Sequence, residues 1–261
     1  MILTFDVGNT ETTIGLFDDG RLAGHWRIVS GVPRTSDELV VLLRGLLATD
    51  GFEPMNVQGA ALGSVVPALT EPLASALRRL GQGRVVVVDA RAPLPITLDV
   101  DEPLTVGADR VINTLAASRL HHSDAIVVDL GTATTFDCIT AEGVFLGGVI
   151  APGVETALES LVRRTSKLPA TELLVPTAVI GRRTEDCIRS GVMFGQADAI
   201  DGIVRRIKAA WPRPQRPVVI ATGGLAETFK GLCQEFDRVE PYLTLYGLQM
   251  AFELLGPSAA P

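Results

Sequence analysis

The sequence predicts an α/β protein made of two similar domains, and three observations carry that expectation. Runs with the look of buried strands alternate with runs of helical periodicity along the 261 residues, the pattern of helices layered on sheets. A strand–turn–strand segment near the start recurs near the middle of the chain. The composition, 47% hydrophobic and 20% charged, suits a large core and lies far from the signature of disorder.

Taken in order, Ile2–Asp6 reads as a buried strand, followed by hairpin strands Thr12–Phe17 and Leu22–Ile28 across an Asp18-Asp19-Gly20 turn. Thr35 and Glu38 have capping-box spacing, and Leu39, Leu42, Leu43, Leu46 and Leu47 share one face, so a helix runs from there to Gly51. Ala60–Val65, Val85–Asp89, Ala125–Asp129 and Val218–Thr222 read as further buried strands. Helices are expected near Leu69–Leu80, Asp109–Leu120, Glu155–Arg164, Glu185–Ala210 and Leu243–Leu255. Trp211–Pro217 reads as an exposed connector, because proline cannot continue a helix. The expected division is 1–118, 119–255 and a frayed tail over 256–261.

The repeat organises the rest. Asp6-Val7-Gly8-Asn9-Thr10, continuing to Gly20, lies without gaps on Asp129-Leu130-Gly131-Thr132-Ala133, continuing to Gly143. Asp6/Asp129, Gly8/Gly131, Thr12/Thr135 and Gly20/Gly143 are then identical. Two such domains facing each other would bring both Asp-x-Gly turns to one cleft.

Composition also excludes. The longest apolar runs, such as Val85–Val88 and Leu39–Leu43, are too short to span a bilayer. Asp6 already ends the first strand, which leaves no room for a cleavable leader. A net charge of −7 and a pI near 5.0 carry no basic footprint for nucleic acid. Cys138, Cys187 and Cys233 are far apart and read as reduced core residues of a cytoplasmic protein. His25, His121 and His122 are too few for a histidine metal centre. No nucleic-acid or membrane partner is expected.

The motifs point to phosphate chemistry. An Asp-x-Gly turn at a strand end offers a carboxylate for Mg²⁺ and a glycine that lets backbone amides approach phosphate oxygens. Asn9 and Thr10 add donors in the first copy, and Thr132, Thr134 and Thr135 in the second. Either turn alone reads better as a plain turn or cap; the pair reverses that and favours function. Thr222-Gly223-Gly224 follows a strand and precedes a helix from Leu225, which suits an adenosine-binding loop. Gly107-Ala108-Asp109-Arg110 opens a helix, with Asp109 either an N-cap or a base for an alcohol, and Arg110 either a surface charge or a carboxylate clamp. Gly147–Gly153 follows a strand and suits close packing, and Thr184 is a good N-cap for the long helix.

Together, Asp6–Thr10, Gly107–Arg110, Asp129–Ala133, Gly147–Gly153 and Thr222–Gly224 resemble, in order and spacing, the motif series of type III pantothenate kinases, from residue 2 to about residue 250. The resemblance implies two duplicated ribonuclease H-like (actin-like ATPase) domains with the active site in the cleft between them. It implies ATP and pantothenate as substrates, Mg²⁺, a monovalent cation (K⁺ or NH₄⁺), and a homodimer with the substrate pocket at its interface. By that resemblance Asp6 is the Mg²⁺-associated carboxylate, and Val7, Gly8, Asn9, Thr10, Thr12, Thr13 and Thr132 line ATP, with Thr222, Gly223 and Gly224. Asp109 is the general base, Val100, Gly107, Ala108 and Arg110 bind pantothenate, Thr184 reaches it across the dimer, and Asp129 holds K⁺.

Two positions depart from the family's pattern. Many members have tyrosine where this chain has Val100, and Gly-Lys-Asn-Thr where it has Gly181-Arg182-Arg183-Thr184. Rival readings are a kinase or phosphatase of the same superfold acting on another substrate, and a non-catalytic regulator on the same fold. Gly107-Ala108-Asp109-Arg110 argues against the first; the acidic pI and intact Asp6, Asp109 and Asp129 argue against the second.

Overall fold

The computed structural model describes residues 1–81 and 83–256; apart from Gly256, the tail expected at 256–261 lies outside them. In chain order the first elements are β1 (Ile2–Val7), β2 (Glu11–Asp18), β3 (Arg21–Val29), α1 (Ser36–Thr49), β4 (Gly59–Ser64), α2 (Pro67–Leu80), β5 (Arg84–Val88), β6 (Thr97–Leu98) and α3 (Ala108–His121). There follow β7 (Ala125–Leu130), β8 (Ala133–Ile139), β9 (Val144–Pro152), α4 (Val154–Arg164), α5 (Thr184–Ala209), β10 (Val218–Thr222), α6 (Ala226–Phe229), β11 (Arg238–Val239) and α7 (Leu243–Leu254). The chain divides into two compact units, Met1–Leu120 together with the stretch from Leu243, and His121–Tyr242.

In the first unit the strands run β3-β2-β1-β4-β5, with β1 in the middle. β2 and β3 are antiparallel, and β4 and β5 lie parallel on the other side of β1. Leu3, Phe5 and Val7 point to one face, where Leu39, Leu43 and Leu47 of α1 and Leu73, Leu77 and Leu80 of α2 cover them. The capping box of α1 forms: Glu38 N donates to Thr35 Oγ1 at 3.3 Å, and Thr35 N donates to Glu38 Oε2 at 2.7 Å.

The other face of β4 carries Gly59, Ala61 and Gly63 and is nearly flat. A Cβ on Gly59 would run into the Phe252 ring, and one on Gly63 into Ile112 Cδ1, with Leu248 Cδ2 at 3.4 Å. Small residues thus let α3 and α7 lie close to the sheet. Arg84 pins the end of α7: its guanidinium sits 4.1 Å from the Phe252 ring centre and donates to Phe252 O and Leu255 O. The expected boundary therefore needs correcting. α7 packs with residues 1–120 instead of closing a domain over 119–255, because its apolar face meets β1 and β4.

The second unit repeats the arrangement. Its strands run β11-β10-β7-β8-β9, with β10 parallel to β7 and β11, and β8 antiparallel to β7 and β9. Ile126, Val128 and Leu130 face Val154 and Leu158 of α4 and Ile188, Val192, Met193 and Val204 of α5. Both units are ribonuclease H-like mixed sheets with helices packed on them, the α/β duplication expected.

The gapless pairing of the repeat is off by one residue. Asp6 pairs with Thr13 across β1–β2, whereas Asp129 pairs with Thr135 across β7–β8. Gly8 N donates to Glu11 O at 3.0 Å, but Gly131 N reaches Ala133 O at 3.1 Å, a turn one residue shorter. Thr12 and Thr13 thus correspond to Thr134 and Thr135, and Thr10 to Thr132. The far turn restores the count: Asp18 pairs with Arg21 around Asp19-Gly20, while Thr140 N donates to Val144 O around Ala141-Glu142-Gly143. Gly20 and Gly143, at φ 74° and 82°, fall back into step.

Smaller expectations also change. Gly147–Pro152 is the second half of strand β9 and does not follow it. Thr184 is the first residue of α5 and Arg183 takes the N-cap with no side-chain bond. The helix after Leu225 is a single short turn, α6. None of the three cysteines forms a disulfide, but only Cys233 is a core residue; Cys187 is exposed and Cys138 half-buried.

Candidate active site

Asp6 and Asp129 each stand near the carboxyl end of a central strand, half-buried, with a tight turn beyond. Such strand ends are where open α/β sheets place ligands. In the first unit Asn9 and Thr10 are exposed on the turn and Thr13 is half-buried in register with Asp6. Val7 and Thr12 play other parts than expected. Val7 is 1% exposed in the core, and the buried Thr12 hydroxyl bonds Ser30 Oγ at 2.8 Å.

The start of α3 lies at the same end of this sheet. Val65 N donates to Val7 O at 3.1 Å, and a Cβ on Gly107 would come 3.5 Å from Val65 Cγ1. Ala108 is buried, 3.9 Å from a Cβ built on Gly63, so it is a packing residue. Asp109 Oδ1 accepts from Arg110 N at 2.9 Å, which folds the carboxylate over the first turn of the helix. A Cβ on Gly107 would run into that same Oδ1, so glycine leaves the room the carboxylate occupies. Asp109 is therefore inside the helix and not its N-cap; Val111 N donates to Gly107 O at 3.1 Å. Val100 is half-buried in the irregular stretch before α3.

In the second unit Gly131 and Thr132 are exposed on the turn after β7. Thr132 O accepts from Gly153 N at 3.2 Å and from Thr156 Oγ1 at 2.7 Å, which ties the turn to the start of α4. Gly223, at φ 89°, sits against Asp129; a Cβ there would strike Asp129 Oδ1 and lie 2.8 Å from Leu130 N. Thr222 is 1% exposed, and its hydroxyl has no hydrogen-bond partner. Thr184 is exposed on a groove of about 460 Å³ lined by Leu161, Leu168, Ile188, Val192 and Gly195.

These surroundings fit the two ions the family resemblance implies. A single half-buried carboxylate beside backbone amides suits Mg²⁺, which binds through one or two carboxylates plus substrate phosphates. At Asp129, an orphaned buried hydroxyl and a glycine cradle fit a hard cation held by oxygen. Among the described residues no group of three or more His, Cys, Asp or Glu gathers as a metal cluster. Nor, among them, is any helix long and apolar enough to cross a membrane.

Two features escaped the sequence reading. Ser30, the partner of Thr12, is found only through the β2–β3 register. A basic run, Arg205, Lys208, Arg213 and Arg216, lines a cleft of about 470 Å³ with Trp211. Its charges are largely paired. Arg213 forks onto Glu142 at 2.5 and 2.9 Å and reaches Asp124 at 3.3 Å, and Lys208 bonds Glu235 at 2.6 Å.

Two ribonuclease H-like units, each with Asp-x-Gly closing its central strand, define an actin-like ATPase and sugar-kinase fold. MreB 5 of Spiroplasma citri bound to AMPPNP shares it at a TM-score of 0.52 and 9% identity, over 99% of this chain and 97% of that one. So does a protein proposed as a Baf family transcriptional activator from Campylobacter jejuni, with TM-score 0.60 and 18% identity over 97% and 98% of the two chains. The profile of the type III pantothenate kinase family matches residues 2–206. The type III pantothenate kinase of Acidothermus cellulolyticus is 43% identical over 254 residues, 97% of this chain and 98% of its own. The chain belongs to the type III pantothenate kinase family.

Proposed function

We propose that this kinase transfers the γ-phosphoryl group of ATP to pantothenate, giving 4′-phosphopantothenate and ADP, the first step of coenzyme A synthesis. The observation that carries the reading is Asp109, an aspartate folded over a helix start, at the same sheet end as the Asp6 turn. Asp109 accepts the proton of the primary hydroxyl as its oxygen bonds to the γ-phosphorus and the bond to ADP breaks. Arg110 holds the pantothenate carboxylate, with Gly107 and Val100 beside it. Asn9, Thr10, Thr13, Thr132 and the backbone amides of both turns bind phosphates, and Gly223-Gly224 the adenosine. Mg²⁺ at Asp6 and K⁺ or NH₄⁺ at Asp129 neutralise phosphate charge when bound.

We further assign a homodimer in which Thr184 reaches the partner's pantothenate. Ile150, Leu174, Val179 and Ile180, 52–85% exposed, support an apolar surface that a second copy covers. A cytoplasmic address fits an ATP-consuming enzyme whose cysteines form no disulfide. The test is ADP release by the purified protein with and without pantothenate, in K⁺ and in K⁺-free buffer. Pantothenate-dependent release is the expected result. No stimulation in either buffer overturns the substrate.

A further inference from the structure

The two Asp-x-Gly carboxylates have different neighbours, and the difference assigns a ligand. In each unit the aspartate is flanked in register by one residue on the antiparallel strand and one on the parallel strand. For Asp6 these are Thr13 on β2 and Gly63 on β4. For Asp129 they are Thr135 on β8 and Thr222 on β10. Register partners on adjacent strands point to the same face. Ile126, Val128 and Leu130 of β7, Phe136 of β8, and Val219 and Ala221 of β10 all point into the core against α4 and α5. Asp129, Thr135 and Thr222 therefore share the opposite face, as a row of hydroxyl, carboxylate and hydroxyl across three adjacent strands.

Thr222 is the member that a structural role leaves unexplained. It is 1% exposed, yet its hydroxyl has no hydrogen-bond partner, a state that destabilises a fold when the polar group is buried. Valine would fill the same volume without that cost. Next to Thr222, on the same side of Asp129, Gly223 keeps open the space its Cβ would take from the carboxylate. In the first unit the matching position is Gly63, whose cradle is filled by the Ile112 methyl, with neither hydroxyl nor space.

We propose that Thr222 and Thr135 flank Asp129 as oxygen ligands of a monovalent cation, with Thr222 the residue that separates this site from the Asp6 site. One carboxylate among neutral oxygens brings a single negative charge, which balances a singly charged hard cation; divalent ions draw more carboxylates or substrate phosphate. The proposal rests on the assignment of Asp129 to the cation. It moves Thr222 from the nucleotide to the ion.

The experiment is direct binding of Tl⁺, a K⁺ mimic, by thallium NMR on the full chain without nucleotide, for wild type, Thr222→Val, Thr222→Ser and Asp129→Asn. Wild type and Thr222→Ser are expected to bind, and Thr222→Val to bind at least tenfold more weakly. In K⁺-free buffer Thr222→Val should melt at or above the wild-type temperature, because it removes an unsatisfied group. Unchanged Tl⁺ affinity in Thr222→Val, with binding lost in Asp129→Asn, overturns the role of Thr222 and leaves Asp129 standing. Undiminished binding in Asp129→Asn, or none in wild type, removes the Asp129 assignment and this proposal with it. A lower melting temperature of Thr222→Val in K⁺-free buffer would show the hydroxyl already satisfied within the fold, and would also overturn the proposal.

Discussion

The turn after β1 and the turn after β7 are built on the same strands in the same order, yet their side chains divide the labour. Around Asp6 the parallel neighbour is Gly63 and the space is taken by Ile112 of α3, the helix that also presents Asp109. Around Asp129 the neighbour is Thr222 and the glycine is Gly223, on the loop that follows. Beneath the turns the contrast repeats. Thr12 is satisfied by Ser30, whose amide donates to Thr10 O at 2.9 Å. At the matching place Gly153 N donates to Thr132 O, and the Thr134 hydroxyl is buried without a partner. Gly153 can carry no side chain, because a Cβ there would strike Gly131 O and Thr132 O. A duplicated backbone thus keeps its hydrogen-bond skeleton while packing gives the two carboxylates different surroundings.

The sharpest way to break this contrast is to remove charge from each side. Asp109→Asn should lower kcat by about 10²–10⁴-fold, the usual worth of a general base, with substrate KM values within a few-fold. Asp129→Asn should instead act through the K⁺ dependence. Steady-state kinetics over a K⁺ series separates the two, and equal turnover by Asp109→Asn would sink the base assignment.

Packing comes next. Gly63→Ala pushes a methyl into Ile112 and should cost about 1–3 kcal/mol in a urea unfolding series. A neutral result would mean that α3 can shift, and the close-packing account of the first unit would fail.

The paired hydroxyls predict opposite signs. Ser30→Ala leaves Thr12 buried and unpaired, at about 1–3 kcal/mol, whereas Thr134→Val removes an orphan and should be nearly neutral or stabilising. Thermal melts of the two variants side by side decide it; equal losses would erase the contrast.

The smallest effect lies at the far turns. In the second unit the Arg213 fork bonds Glu142 and holds its carboxyl at about 2, below the ordinary 4.5. A carboxyl lowered by folding stabilises the fold above its ordinary value, and that share fades as pH falls from 4.5 toward 2. Because Glu142 is 61% exposed, the share is small. The melting-temperature gap between wild type and Glu142→Gln should shrink on acidification over that range, and a gap that widened would contradict the pairing.

Much of this was legible in the residues alone. Alternating periodicities located nearly every long element, since burial on one face imposes period 2 on strands and 3.6 on helices. Thr35 and Glu38 announced their helix because a capping box is local chemistry. The Asp-x-Gly repeat and the motif order pointed to the fold and the family. Residues whose role depends on a partner far along the chain were not legible. The one-residue slip of the repeat shows only in strand register, because a shorter turn here is offset by a longer one there. α7 joins the first unit because Gly59 and Gly63 leave its apolar face a flat surface, a fit between segments some 190 residues apart. Thr222 reads in sequence as part of a glycine loop; only the pairing of β10 with β7 sets its hydroxyl beside Asp129. Local periodicity and capping act over a few bonds and are written in the chain, whereas donor sets and close approaches belong to surfaces that exist only once the strands have paired.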